Sequence, residues 1–163
     1  ILRYQALALA NRKKLSAQAG RIRNRLDSIF TEDPDAKILI IGDLNDDPGA
    51  DSYESLLGHS ALEKIMGSVF EPEFIMHNAL YHWTKDRALA RELYTTEFHD
   101  PIVKNQAVHR CWIDHIMVSP GLRRGKGIRY AERSGMIADK TDMARKVSDH
   151  FPLYCRLEVE ERD

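Results

Sequence analysis

Apolar residues enter this chain with a helical rhythm and leave it with a strand rhythm. From Leu15 they recur at Ala19, Ile22, Leu26 and Ile29, steps of four and three that line one face of a helix, and the spacing predicts an amphipathic helix over about Asn11 to Phe30. Glu32-Asp33-Pro34-Asp35 breaks it, because proline cannot continue a helix and its polar neighbours favour turns. The aliphatic run in Lys37-Ile38-Leu39-Ile40-Ile41 then predicts a strand buried on both faces. Gly42 to Gly49 reads as a turn-rich loop, after which Asp51 or Ser52 can cap a short helix carrying Tyr53, Leu56 and Leu57.

Residues 68–110 have weak periodicity, and only Asp86 to Leu93 suggests a short helix. Alternation returns at Trp112-Ile113-Asp114-His115-Ile116-Met117-Val118. Trp112, Asp114, Ile116 and Val118 share one face of the predicted strand, and Ile113, His115 and Met117 the other. Pro120-Gly121 ends it, a basic loop with Arg123, Arg124, Lys126 and Arg129 follows, and a last strand is expected from Phe151 to Val159. In it Leu153, Cys155, Leu157 and Val159 would lie on one face. Ser148-Asp149-His150 stands just before that strand.

Composition narrows the class. With 163 residues, 43% hydrophobic, 30% charged and only nine Gly and six Pro, the chain is expected to form one globular domain and is neither collagen-like nor low-complexity. A formal charge of −1 gives no whole-molecule attraction to nucleic acid or to a membrane surface, so electrostatic recognition has to be local. Cys111 and Cys155 stand far apart without metal-ligand spacing, which indicates neither a disulfide scaffold nor a structural zinc site, although one bridge between them stays open. The longest apolar runs fall far short of the roughly 20 residues that span a bilayer as a helix.

Acids and histidines gather where strands end: Asp43 and Asn45 after the first strand, Asp114 within the middle one, Asp149 and His150 before the last. A rigid sheet holds reactive groups at such positions. Carboxylates, a carboxamide and an imidazole supply what phosphoryl transfer requires. They position a water, offer oxygen ligands for a hard divalent cation and donate to the charge that builds on phosphorus-bound oxygens. Each piece also has a plain structural reading. Asp43 two residues before Asn45 is the pattern of an Asx turn, Asp114 on a strand can serve a structural hydrogen bond, and an Asp-His pair often caps a turn.

Taken together, "ILIIGDLND", "WIDHIMVS" and "VSDHFPLYCRLE" resemble the three C-terminal signature blocks of the endonuclease/exonuclease/phosphatase superfamily, metal-dependent phosphodiesterases and phosphatases related to deoxyribonuclease I and to apurinic endonucleases. The resemblance spans about residues 15–159. The resemblance implies that Asp43 orients or deprotonates the attacking water, that Asn45 holds water and a phosphate oxygen, and that Asp149 ligates the metal. It gives His150 the phosphate and the developing negative charge, with Asp114 hydrogen-bonded to the ring to fix its tautomer. Magnesium is the implied cation, and manganese or calcium would satisfy the same hard oxygen ligands. His115, on the opposite strand face from Asp114, is expected to stay out of the site.

The implied fold is an α/β one, a four-layer α/β/β/α sandwich of two similar halves, in which a metal-ligating Glu and another His come from strands before the "GDLN" block. No room for those strands exists before Gly42, so residues 1–163 are read as the C-terminal portion of a single such domain, with the N-terminal half missing. The missing half or a second copy is then expected to cover the exposed sheet. The implied partner is a phosphodiester substrate, with nucleic acid as the first candidate and a phosphomonoester or lipid headgroup as the alternative. A non-catalytic interaction fragment is the third reading. Basic residues of the first helix and of the Arg123–Arg129 loop could meet a polyanionic backbone or simply be solvated. Trp112 is expected to pack in the core.

Overall fold

The computed structural model describes the backbone of residues 2–48, 57–99, 108–138 and 140–160. The helix expected around Asp51 to Leu56 lies outside the described residues. Five α-helices are described: α1 Leu2–Glu32, α2 Ala61–Met66, α3 Arg87–Arg91, α4 Pro120–Arg124 and α5 Asp142–Val147. The described strands are β1 Leu39–Asp43, β2 His77–Asn78, β3 Thr96–His99, β4 Val108–Cys111, β5 Asp114–Val118, β6 Ile128–Tyr130, β7 Met136–Ile137, β8 Leu153–Tyr154 and β9 Leu157–Val159. The fold is mixed α/β.

Helix α1 covers the predicted span and starts earlier, because Leu2 to Ala10 is rich in Ala and Leu, which propagate a helix readily. Its apolar face, with Ala19, Leu26 and Phe30 buried, packs on Ala61, Leu62 and Ile65 of α2 and on Met117 of β5. It ends where expected: Pro34 cannot continue it, and the Asp33 carboxylate accepts from the Asp35 amide at 3.0 Å. Arg23 also reaches out of α1 to the carbonyls of Ile65, Met66 and Phe74, which fixes α2 against it.

The central sheet has the order β1-β5-β2. β1 and β5 are antiparallel, with Leu39 opposite Val118 and Asp43 opposite Asp114. Met117 and Met76 face the α1/α2 layer. On the other face Ile116 and Val118 pack against Leu122, Tyr130 and Leu153 from the later helix and ribbons. Trp112 joins a third cluster with Leu80, Trp83, Tyr94, Ile137 and Phe151, the core role expected of it.

Two expectations about strands are corrected. β1 is not buried on both faces, since Ile41 is 61% exposed. β5 is its one described partner, and the second layer covers Leu39 but stops short of Ile41. The last strand is not continuous either. It breaks at Cys155–Arg156, where the chain changes partner from β7 to β6, and the Arg156 carbonyl is taken by the Ala131 amide at 2.9 Å. Leu157 and Val159 are consequently exposed rather than on a buried face.

Other expectations hold. The short helix in 86–93 is α3, capped by the Asp86 carboxylate on the amides of Ala88 and Leu89. Both cysteines are free and half-buried. No helix among the described residues is long and apolar enough to cross a membrane.

Candidate active site

Strand register sets two carboxylates side by side. Asp43 is the last residue of β1 and Asp114 the first of β5, directly opposite each other. Beyond the ladder the chain turns away at once. Leu44 still donates to the Ile113 carbonyl at 2.9 Å, and Asn45 adopts a left-handed φ of 52°, which asparagine accepts more easily than most residues. Asn45 then closes on Asp43 twice, its amide N–H on Oδ1 at 2.8 Å and its side-chain Nδ2 on Oδ2 at 3.1 Å. The Asx turn that the "GDLND" spacing allowed is therefore formed, and it holds the Asp43 carboxyl in one orientation. A cavity of about 420 Å³ borders this loop, lined also by Leu15, Gln18 and Ile22 of α1.

His150 reaches the same place from the other end of the chain. Its Nδ1 lies 2.9 Å from Asp114 Oδ2 and 3.1 Å from Oδ1. Ligand atoms of Asp43, Asp114 and His150 all fall within 4.8 Å of one another. Thr95 and Thr96 supply the joint. Thr95 Oγ1 accepts from the amides of Ile113 and Asp114 at 3.1 and 3.0 Å, and its carbonyl accepts from the Phe151 amide at 2.7 Å. Thr96 forms a bridge with His150 and donates from Oγ1 to the Asp149 carbonyl at 2.8 Å. Both threonines are buried, and the sequence reading passed over them. The β-branched pair Thr95-Thr96 after Tyr94 was the signal available, a strand start in a stretch otherwise without period.

Electrostatics favour a charged imidazole. Burial works against it, but the hydrogen bond and charge of Asp114, with the charges of Asp43 and Asp149, outweigh burial and raise the His150 pKa above its ordinary value. Asp149 is exposed and lies outside the cluster of Asp43, Asp114 and His150; its charge acts on His150, and its carbonyl anchors Thr96 and Glu97. Its neighbour Ser148 holds the turn, Oγ accepting from the His150 amide at 3.0 Å.

His115 stays out of this group, as expected. It is 1% exposed on the far face of β5, and burial holds its pKa below the ordinary value despite the Asp46 carbonyl and the nearby carboxylates. The basic loop is less electropositive than its sequence suggests, since Arg123 pairs with Glu132 at 2.7 Å and Arg129 with Glu158 at 2.9 Å. Arg12 of the first helix is likewise paired, with Asp46 at 3.0 Å.

Two carboxylates at the facing ends of antiparallel strands offer oxygen donors that fit a hard divalent cation, with the His150 imidazole beside them. They also form an acid–imidazole pair suited to proton handling. The profile of the Endonuclease/Exonuclease/phosphatase family matches residues 10–150, and the chain belongs to that family, whose members are in general hydrolytic phosphoesterases. No curated protein and no solved structure matches the chain.

Proposed function

We propose that this chain carries the active-site half of a divalent-metal-dependent phosphodiester hydrolase of nuclease type. The supporting observation is the contact of Asp114 with His150 at 2.9 Å, with Asp43 inside the same 4.8 Å group. Residues from three separated stretches meet there, in a family whose members hydrolyse phosphoesters.

In this reading Asp43, held by Asn45, orients a water in line with the bond to the leaving oxygen and takes its proton as the new P–O bond forms and the old one breaks. Asn45 has a side-chain amide beside Asp43 to hold the water and a phosphate oxygen. His150, kept in the charged form by Asp114, donates to the non-bridging oxygens as negative charge grows on them. Asp149, whose charge acts on His150 from beside the cluster, would hold the cation, magnesium first and manganese or calcium by the same ligand chemistry. When bound, the cation supplies charge neutralisation at the phosphoryl oxygens.

On the same reading the chain is the C-terminal portion of a single four-layer α/β/β/α domain. A further strand-borne Glu and His belong to the other half, so the 163 residues alone should turn over slowly or not at all. The test is hydrolysis of DNA, RNA, bis-p-nitrophenyl phosphate and p-nitrophenyl phosphate with magnesium or manganese, by this chain and by the chain extended with the residues encoded upstream of Ile1. Expected are diester cleavage by the extended protein and a loss of about 10²–10⁴-fold in His150→Ala, the range for a positioned proton donor. Preference for the monoester would move the assignment to phosphatase chemistry. No hydrolysis by the extended protein would leave the fold as an interaction fragment. Brisk magnesium-dependent turnover by the 163 residues alone, abolished by His150→Ala, would remove the missing-half reading.

A further inference from the structure

A second polar cluster, buried and separate from the exposed carboxylates, ties the Asp43–Asn45 loop to the strand that bears Asp114. Its centre is His115. Nε2 lies 2.8 Å from the Asp46 carbonyl and Nδ1 lies 2.8 Å from Asn78 Nδ2. A carbonyl only accepts and a side-chain amide nitrogen only donates, so the ring is neutral with its proton on Nε2. The Asn78 amide is oriented by its own partner, because Oδ1 accepts from the Leu80 amide at 3.0 Å. The Trp112 ring packs against the imidazole, centroids 5.3 Å apart.

Asp46 is the other node. Its side chain is fully buried, and its carboxylate takes Arg12 Nη1 at 3.0 Å and the first amides of α2, Ala61 at 2.5 Å and Leu62 at 3.1 Å. Arg12 also reaches the Asn45 carbonyl at 3.3 Å. One residue past the Asp43–Asn45 turn, the loop is thus fastened to α1, to the start of α2, to β5 through His115 and to β2 through Asn78.

The placement says what this fastening does. The β1–β5 ladder ends at the pair Asp43 and Asp114, and past Leu44 the loop is outside the ladder. An apolar side chain at position 115 would suit the core as well and would need no partners, whereas this arrangement buries a ring, an amide and a carboxylate that must all be satisfied. His115 adjoins Asp114 in sequence, and Asp46 adjoins Asn45. The hydrogen bond between them is therefore a brace across the two segments that bring the carboxylates together.

We infer that His115 and Asp46 are positioning residues that hold the Asp43–Asn45 loop against Asp114. The inference rests on the site assigned under the proposed function, and it concerns how that site is kept assembled. His115→Leu should speed hydrogen exchange of the Asn45 amide, which is bonded to Asp43, by about tenfold or more, and weaken manganese binding by about 10–100-fold, the range for partners that orient metal ligands. His115→Gln, which keeps a donor near the Nε2 position, should stay within about threefold of the native protein in both. Val118→Ala, at the opposite end of β5, destabilises the same strand and should leave both unchanged. Arg12→Gln, on a partly exposed residue, provides a second variant should His115→Leu not fold; faster exchange at Asn45 is expected there too. Exchange and manganese binding in His115→Leu, or exchange in Arg12→Gln, no different from Val118→Ala would overturn the inference. If the native 163 residues bind no manganese, the exchange data alone decide this inference, and the hydrolase reading is decided by turnover of the extended protein.

Discussion

At His150 two effects oppose each other: partial burial disfavours the imidazolium, and the Asp114 carboxylate 2.9 Å away favours it, with Asp43 and Asp149 adding to the same side. The sum raises the folded pKa above the unfolded value of about 6.5. A raised histidine pKa stabilises the folded state fully below the unfolded pKa, and that contribution is lost as pH climbs through the folded pKa. Asp114→Asn should therefore lower the His150 pKa, read by NMR titration, from its native value. It should also lower stability more at pH 6 than at pH 8.5. The difference should stay under about 1 kcal/mol, because the imidazole is 35% open to solvent and the pair is screened. An unchanged His150 titration in Asp114→Asn would mean that another group holds the ring charged. The strand pattern located Asp114 and His150 separately, and their pairing was legible only through the family resemblance. That Asn45 would use both donors on Asp43, and that Asp46 would be buried, was not. Burial of Asp46 depends on Arg12, which stands 34 residues earlier, and on the start of α2 15 residues later.

Among the elements, the junction between β1 and β5 depends on one hydroxyl. Ser119, fully buried just after β5, donates from Oγ to the Ala36 carbonyl at 2.6 Å and accepts from the amides of Ile38 at 2.9 Å and Leu122 at 3.2 Å. It joins the entry of β1, the exit of β5 and the first turn of α4. Gly121 lets α4 approach that closely, since a Cβ there would meet the Asp35 carbonyl oxygen at 2.1 Å. Ser119→Ala leaves three buried polar groups without this partner and should cost about 2 kcal/mol, lowering Tm by roughly 4–8 °C for a chain of this size. Because the carboxylates lie at the other end of the strands, His150 should titrate as in the native protein; a shifted His150 titration would show that the junction reaches the site. The same elements show where sequence pattern suffices. Helix α1 was readable because Ala19, Leu26 and Phe30 bury one face at helical spacing, and β5 because apolar residues occupy both of its faces, which are both buried. The final strand was not, since its alternation runs unbroken while its partners change at Cys155–Arg156. Nothing local announces which strand lies alongside.

For the molecule as a whole, the edge of β1 matters most. β5 is the one described partner of β1, Ile41 is 61% exposed, and the strand ends in Asp43, so the outer edge of the sheet runs directly up to the proposed water-orienting carboxylate. An aliphatic run at an edge that no described strand covers invites another strand. No whole-molecule charge opposes the approach of a second copy, the formal net charge being −1. The 163 residues by themselves should therefore associate at roughly 100 μM, the range in which exposed edges and apolar surface make chains pair. Light scattering after gel filtration should give a mass above one chain. Ile41→Lys places a charge on that edge and should return the mass to one chain while leaving His150 and Asp114 in contact. A native chain that stays monomeric at that concentration would show that the β1 edge does not recruit another strand. Association that survives Ile41→Lys would move the contact elsewhere, to the exposed β9 edge at Leu157 and Val159. Association lost in Ile41→Lys would place the contact between copies at the β1 edge, next to Asp43.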